Sequence, residues 1–157
     1  MTNMRSMFYH SPFNQYIGDW NVSNVTNMRA MFSHAESFNQ DIRKWDVSKV
    51  TDMTIMFSGA VKFNQNLDSW NVSSVMKMGS MFEGATAFNG SINSWDVSRV
   101  QNMSSMFRGA RAFNQPLVQW DTSNATNMSY MFGGAVKFNQ HLNSWDTSKV
   151  TTMNAMF

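Results

Sequence analysis

The sequence contains no cysteine among its 157 residues. A disulfide framework and a thiolate metal site are therefore excluded. No apolar run approaches the roughly 20 residues of a membrane-spanning helix, so we expect no direct membrane insertion by this segment. The 12 basic and 10 acidic residues are scattered and form no basic stripe, which argues against nucleic-acid binding.

What the chain does contain is one 25-residue unit repeated six times, with the form FNQx[IL]xxW[DN][VT]SxVxxMxxMFxxA. The tryptophans lie in a single column: Trp20, Trp45, Trp70, Trp95, Trp120 and Trp145. Bulky apolar residues confined to fixed columns predict turns that stack and bury each other's faces. The sequence thus predicts a single solenoid over residues 1–157, with about six turns. Because it starts and stops in mid-repeat, we expect it to be an excerpt of a longer array.

The first half of each unit predicts a short strand. Ile42, Trp45 and Val47 follow the spacing L-x-x-L-x-L, whose last two apolar residues alternate along a strand and point inward. The residues beside them should then face solvent: Lys44, Asp46 and Ser48.

The second half predicts a short helix, because apolar residues recur at i, i+3, i+4 and i+7. In the second unit these are Met53, Met56, Phe57 and Ala60. The predicted fold class is therefore a repeat solenoid like a leucine-rich repeat. Each 25-residue turn would hold one short parallel β-strand and one short helical segment.

One asparagine column is unbroken: Asn14, Asn39, Asn64, Asn89, Asn114 and Asn139. We predict a buried structural ladder, in which the amides satisfy backbone groups that a tight corner leaves unpaired.

The units resemble a known family. Residues 45–53, Met56-Phe57-Ser58-Gly59-Ala60 and Phe63-Asn64-Gln65 are similar to the 25/26-residue repeat of bacterial surface proteins of the BspA-like leucine-rich-repeat group. The resemblance implies an extracellular or cell-surface protein used in adhesion or in presenting an interaction surface. Two features depart from the usual leucine-rich repeat. Val50 stands where the ladder asparagine would follow the strand, and Trp, Met and Phe largely replace leucine.

Polar columns beside the predicted strand form a candidate binding face. Its residues are Asn21, Ser23, Lys44, Asp46, Ser48, Asn71, Ser73, Asp96, Ser98, Asp121, Ser123, Asp146 and Ser148. The residue after each tryptophan is Asp or Asn, and three consecutive carboxylates could bind calcium. The free exchange of Asp and Asn, and the lack of a second ligand column, favour a structural role: an oxygen that accepts a hydrogen bond from the next corner.

No arrangement of residues favours an enzyme. The serine column has no partnering histidine to act as a base. His10 and His34 occupy equivalent places in adjacent turns, but two imidazoles without a third ligand make a weak metal site, so an exposed pair is favoured. We therefore predict no catalytic residue, no metal site and no cofactor.

Two functions remain as hypotheses. The leading one is a non-enzymatic cell-surface protein whose polar strand face binds protein or glycan surfaces. The alternative is a structural subunit that stacks end to end with further copies of itself into an extracellular filament. An ice-binding coil is a weaker third idea, since it would need a flat column of threonine pairs.

Overall fold

In the computed structural model, which describes residues 1–157, the backbone forms a series of turns with no α-helix and no extended β-strand. Isolated parallel bridges join one residue of each coil to the equivalent residue of the next. The bridged residues are Asn3, Asn27, Asp52, Lys77, Asn102, Asn127 and Thr152. They begin successive coils, which are 25 residues apart except for the first coil, residues 3–26, which contains Pro12 and is one residue shorter.

The apolar columns lie inside the stacked coils, as predicted. Trp45 is only 3% exposed and Phe63 is fully buried. They belong to one hydrophobic cluster of 44 buried residues that extends from Met4 to Met156. Equivalent rings are stacked in parallel, with centroids 5.5 Å apart for Phe32 and Phe57 and 6.5 Å apart for Trp45 and Trp70. Each buried aromatic side chain removes roughly 150–250 Å² from water, so these columns contribute strongly to the stability of the stack.

Residues 27–35 and their equivalents form what we call the backbone-paired arc. In the second coil, the N–H groups of Met28, Ala30, Phe32 and His34 donate to carbonyls of the third coil over 2.7 to 3.0 Å. The N–H groups of Met31, Ser33 and Ala35 donate three residues back within the coil, as Met31 does to Met28 over 3.1 Å. The arc is therefore a run of overlapping β-turns whose alternate N–H groups pair with the next coil.

The predicted helix is wrong, because this arc occupies its place. Ala30 and His34 have φ values of +56° and +57°, and a left-handed residue ends a right-handed helix. The residues that were predicted to face inward still do so, because overlapping tight turns also place residues i, i+3, i+4 and i+7 on the inner side of the coil. Met53, Met56, Phe57 and Ala60 are all fully buried. The periodicity identified the buried residues but not the backbone that carries them.

The predicted strand is also wrong. The sides it assigned hold for buried Trp45 and Val47 and for exposed Lys44 and Asp46, while Ser48 is half-buried. Trp45 N–H bonds to the carbonyl of Ile42 and Val50 N–H to that of Val47, so this segment turns twice and does not extend. Along residues 41–50 and their equivalents, one backbone bond joins neighbouring coils, from Leu67 N–H to Ser91 O. The strand-plus-helix, leucine-rich-repeat-like fold class is therefore overturned.

Residues 36–50 and their equivalents, the side-chain-paired arc, are joined to neighbouring coils mainly by side chains, with few backbone bonds such as that from Ala87 N–H to Val61 O. The indole Nε1–H of Trp45 donates to the carbonyl of Ile17 in the preceding coil over 3.1 Å. Four later tryptophans repeat this bond with carbonyls 28 residues earlier: Trp70, Trp95, Trp120 and Trp145. No buried side-chain nitrogen or oxygen is left without a hydrogen-bond partner. The structure contains no helix that could span a membrane.

Candidate functional site

The candidate binding face lies on the side-chain-paired arc. Each residue that follows a tryptophan is exposed, and its Oδ1 accepts the backbone N–H of the serine two residues later. The N–H to Oδ1 distances run from 2.8 to 3.1 Å across all six pairs. The pairs are Asn21–Ser23, Asn71–Ser73, Asp46–Ser48, Asp96–Ser98, Asp121–Ser123 and Asp146–Ser148. We refer to them as the Asx–Ser pairs.

The Asx–Ser pairs hold three carboxylates in their charged form. Hydrogen bonds from the hydroxyl and backbone N–H of Ser48 lower the pKa of Asp46. The Ser123 hydroxyl and N–H lower the pKa of Asp121, against a smaller opposing effect from the charge of Asp146. The N–H and hydroxyl of Ser148 likewise lower the pKa of Asp146. Oδ1 of each carboxylate thus serves the local turn.

Cationic side chains flank these carboxylates. Lys44 is exposed and forms no hydrogen bond or ion pair. Lys49 Nζ donates to Asn24 Oδ1 of the preceding coil over 2.8 Å, and Lys149 makes the same bond to Asn124 over 2.7 Å. The face therefore presents fixed acceptors beside tethered and free cations.

The asparagine ladder lies at the surface and not inside, so its predicted burial is wrong. Asn114 is half-buried and the other five asparagines are exposed. Each Oδ1 in the first five coils accepts the backbone N–H of the next asparagine over 2.9 Å. Gln65 Nε2 also donates to the carbonyl and Oδ1 of Asn39. The amides join neighbouring coils in a region where backbone bonds between coils are scarce. For this role each side chain must reach the next coil, but it does not have to be buried.

A second column of side-chain caps was missed in the sequence. Oδ1 of Asn27, Asp52, Asn102 and Asn127 each accepts the N–H two residues later over 2.9 to 3.0 Å. The signal was the Asn or Asp that precedes the first methionine of most units, a residue type that favours such turns. These residues carry the bridges, so their side chains fix the start of each backbone-paired arc.

The histidines divide into a pair and a single residue. His10 and His34 are exposed neighbours whose rings stack with centroids 4.5 Å apart and planes 6° apart. Ser33 Oγ lies 3.1 Å from Nδ1 of His34, so this histidine contacts a serine outside the predicted serine column. His141 lies exposed in the last complete coil. Nowhere do three or more His, Cys, Asp or Glu side chains lie in a group that could hold a metal ion.

Comparison with known proteins finds no curated relative. A family model described as "Mycoplasma protein of unknown function, DUF285" matches residues 1–93 and residues 65–157. The two matches overlap, as expected when one repeated unit fills the sequence, and together they cover the whole chain. The chain therefore belongs to the DUF285 family of repeat proteins.

Proposed function

We propose that this chain is a non-enzymatic repeat protein of the cell surface, which binds protein or glycan surfaces through the Asx–Ser pairs and their neighbours. The observation that carries the proposal is the repetition, in six successive coils, of one internally hydrogen-bonded polar pair whose Asp or Asn is exposed. The likeness of the units to the BspA-like surface repeat supports the same location and role.

Preorganisation makes this face suitable for binding. The side chains are already fixed by bonds to the serines, so a partner would not have to order them. Beneath them the tryptophan rings are stacked in parallel, 6.2 to 6.5 Å apart from Trp45 to Trp145. A partner with polar groups at a similar repeat, such as a polysaccharide, can engage several coils at once and gain avidity.

The test is to neutralise three carboxylates on the face without disturbing its turns. Asparagine already occupies this column at Asn21 and Asn71, so Asp96→Asn, Asp121→Asn and Asp146→Asn should preserve the fold. A matched control removes three negative charges elsewhere, through Glu36→Gln, Asp52→Asn and Glu83→Gln. Each protein is applied to immobilised glycans and extracellular-matrix proteins.

We expect the face variant to lose roughly tenfold in affinity for any ligand that the parent binds, since charged hydrogen bonds are lost. The control variant should bind as the parent does. Equal loss in both variants, or none in the face variant, would contradict the proposal.

A second candidate function, end-to-end stacking, is favoured by complementary groups at the two ends of the 157-residue chain. The N–H groups of Met153, Ala155 and Phe157 have no acceptor, while equivalent N–H groups of earlier coils donate to the next coil. At the other end the carbonyls of Asn3 and Arg5 have no donor. A second copy stacked in register would pair these groups and cover Phe157, which is 76% exposed.

Sedimentation over a range of concentrations tests this candidate. Stacking predicts a mass that rises with concentration, and Phe157→Glu should abolish the rise because it places a charge in the contact. Val118→Glu, a change at an exposed apolar residue away from the ends, is the control. A parent chain that stays monomeric at high concentration would eliminate stacking and leave the binding-face proposal standing.

A further inference from the structure

A polar groove lies between the first two coils and has no counterpart elsewhere in the structure. Its volume is about 230 Å³, and its lining contains no apolar side chain other than the proline ring. It is lined by His10, Ser11, Pro12, His34, Glu36 and Ser37. The first coil is one residue shorter than the others, so the corner at Ser11-Pro12 is specific to this end of the chain.

The two histidines in this groove occupy backbone positions where the other coils have glycine. The equivalent residues are Gly59, Gly84, Gly109 and Gly134, with φ from +68° to +71°. His10 and His34 adopt φ of +53° and +57°, a region that costs an L-residue roughly 1–2 kcal/mol. The other left-handed column carries Ala30, Ile55 and Tyr130 at a similar cost, so what distinguishes His10 and His34 is that they place two imidazole rings side by side.

The surroundings position both rings. Tyr9 packs edge-on against His10, with ring centroids 4.4 Å apart and planes at 84°. The other face of the His34 ring lies over Gly59, where a Cβ would come within 2.8 Å of ring atom Cδ2. When Ser33 Oγ accepts the proton on Nδ1 of His34, the lone pair of that imidazole lies on Nε2.

From this arrangement we propose that His10 and His34 bind one divalent late transition-metal ion through their Nε2 atoms. Imidazole nitrogen suits Zn²⁺, Ni²⁺ and Cu²⁺ in preference to Ca²⁺ or Mg²⁺. The two rings project from adjacent coils and lie parallel, so both exposed side chains must rotate out of the stack to direct their nitrogens onto one ion. Water completes the coordination, because no third His, Cys, Asp or Glu side chain lies close enough to form a group with the two histidines. This site is independent of the Asx–Ser pairs.

The experiment titrates Zn²⁺ into the tag-free 157-residue chain and follows both binding heat and the imidazole NMR signals. The informative variant is His34→Gly, which installs the residue that four other coils use and so leaves the fold intact. His10→Gly repeats the test on the partner ring. The control is His141→Gln, which removes an exposed histidine in the last complete coil.

We expect one Zn²⁺ per parent chain, with the signals of His10 and His34 affected and those of His141 unchanged. Either glycine variant should lose roughly 10²-fold in affinity, because two linked ligands become one. His141→Gln should bind as the parent does. Absence of saturable binding by the parent, or equal affinity in His34→Gly, would overturn the proposal.

Discussion

At the scale of single residues, left-handed backbone conformation determines the course of each coil. One column of positive φ contains Ala30, Ile55 and Tyr130, and the other contains the two histidines and four glycines. Apart from glycine, residues reach this region at a cost that the surrounding structure must offset. Each of these residues closes a turn, so both columns keep a positive φ even in coils where the residue is not glycine.

Gly109→Ala should lower the free energy of unfolding by about 1 kcal/mol. Gly109 has φ of +69°, and an added Cβ would lie 3.7 Å from Gly84 Cα, so the cost is conformational and not steric. Gly133→Ala is the matched control, because Gly133 does not have a left-handed φ and has ordinary room for a Cβ. Urea unfolding of both variants measures the difference. Equal effects would show that backbone handedness does not limit this position.

The exposed carboxylates of the Asx–Ser pairs make stability depend on pH in a defined direction. Because serine hydrogen bonds lower the pKa of Asp46, Asp121 and Asp146, the folded state binds fewer protons than the unfolded state. Their contribution is present above about pH 4 and is lost as pH falls through the lowered pKa values. Changing all three to Asn should therefore make the melting temperature fall less between pH 7 and pH 3 than it does in the parent. If the melting temperatures of the parent and the triple variant fell by the same amount between pH 7 and pH 3, this prediction would be contradicted.

At the scale of elements, each coil is held to its neighbours by two different means. The backbone-paired arc uses main-chain bonds, which any residue except proline can make. The side-chain-paired arc depends on indole, amide and hydroxyl groups, for which particular residue types are needed. This division explains why Trp and Asn recur in every unit of the side-chain-paired arc, while Arg29, Thr54 and Gly79 can replace one another in the backbone-paired arc.

Trp70→Ala should lower the free energy of unfolding by roughly 3–5 kcal/mol. Trp70 is 3% exposed, stacks between Trp45 and Trp95, and donates to the carbonyl of Ile42. Trp20→Ala is the control, because Trp20 is 41% exposed and should cost much less. Guanidinium unfolding of the two variants makes the comparison, and similar losses would mean that stacking does not govern stability.

Asn64→Leu should lower the free energy of unfolding by about 1 kcal/mol, because the N–H of Asn89 loses its acceptor. The effect stays modest since the ladder is exposed and water can reach the freed groups. Asn64→Asp keeps an acceptor oxygen at this position and should therefore retain most of the stability that Asn64→Leu loses. An unchanged denaturation midpoint in Asn64→Leu would show that the ladder does not contribute to stability.

At the scale of the whole molecule, repetition converts each small interaction into a continuous column. The hydrophobic cluster, the tryptophan bonds and the asparagine ladder each join adjacent coils. Stability should therefore be spread along the chain through nearest-neighbour contacts, as in other repeat proteins.

Calcium should not contribute to this stability. The residues of the Asx–Ser pairs already use Oδ1 for a serine N–H, so they offer an ion few further oxygens in any one coil. Chelator should leave the melting temperature unchanged, and millimolar calcium should raise it no more than magnesium does. A selective rise of many degrees with calcium would identify Asp96, Asp121 and Asp146 as ligands.

Much of the arrangement could be predicted from sequence, because column spacing depends only on the repeat. The 25-residue period fixed which residues are equivalent, and the apolar columns identified the buried set, including Trp45 and Phe63. The exchange of Asp and Asn after each tryptophan indicated an oxygen acceptor for the next corner, and the Ser48 and Ser98 N–H groups bond there. The adjacency of His10 and His34 also followed from their equivalent places.

The sequence by itself thus determined the repeat, the inward residues and the neighbours in each column. Only the tertiary structure decided the backbone between them, because spacings of i, i+3 and i+4 suit both a helix and overlapping turns. Met28 N–H finds its acceptor in the next coil at Asp52 O, a partner that local propensity cannot reveal. The surface position of the asparagines was likewise not predictable from sequence. Their hydrogen-bond partners belong to the next coil, and these contacts exist only once the coils are stacked.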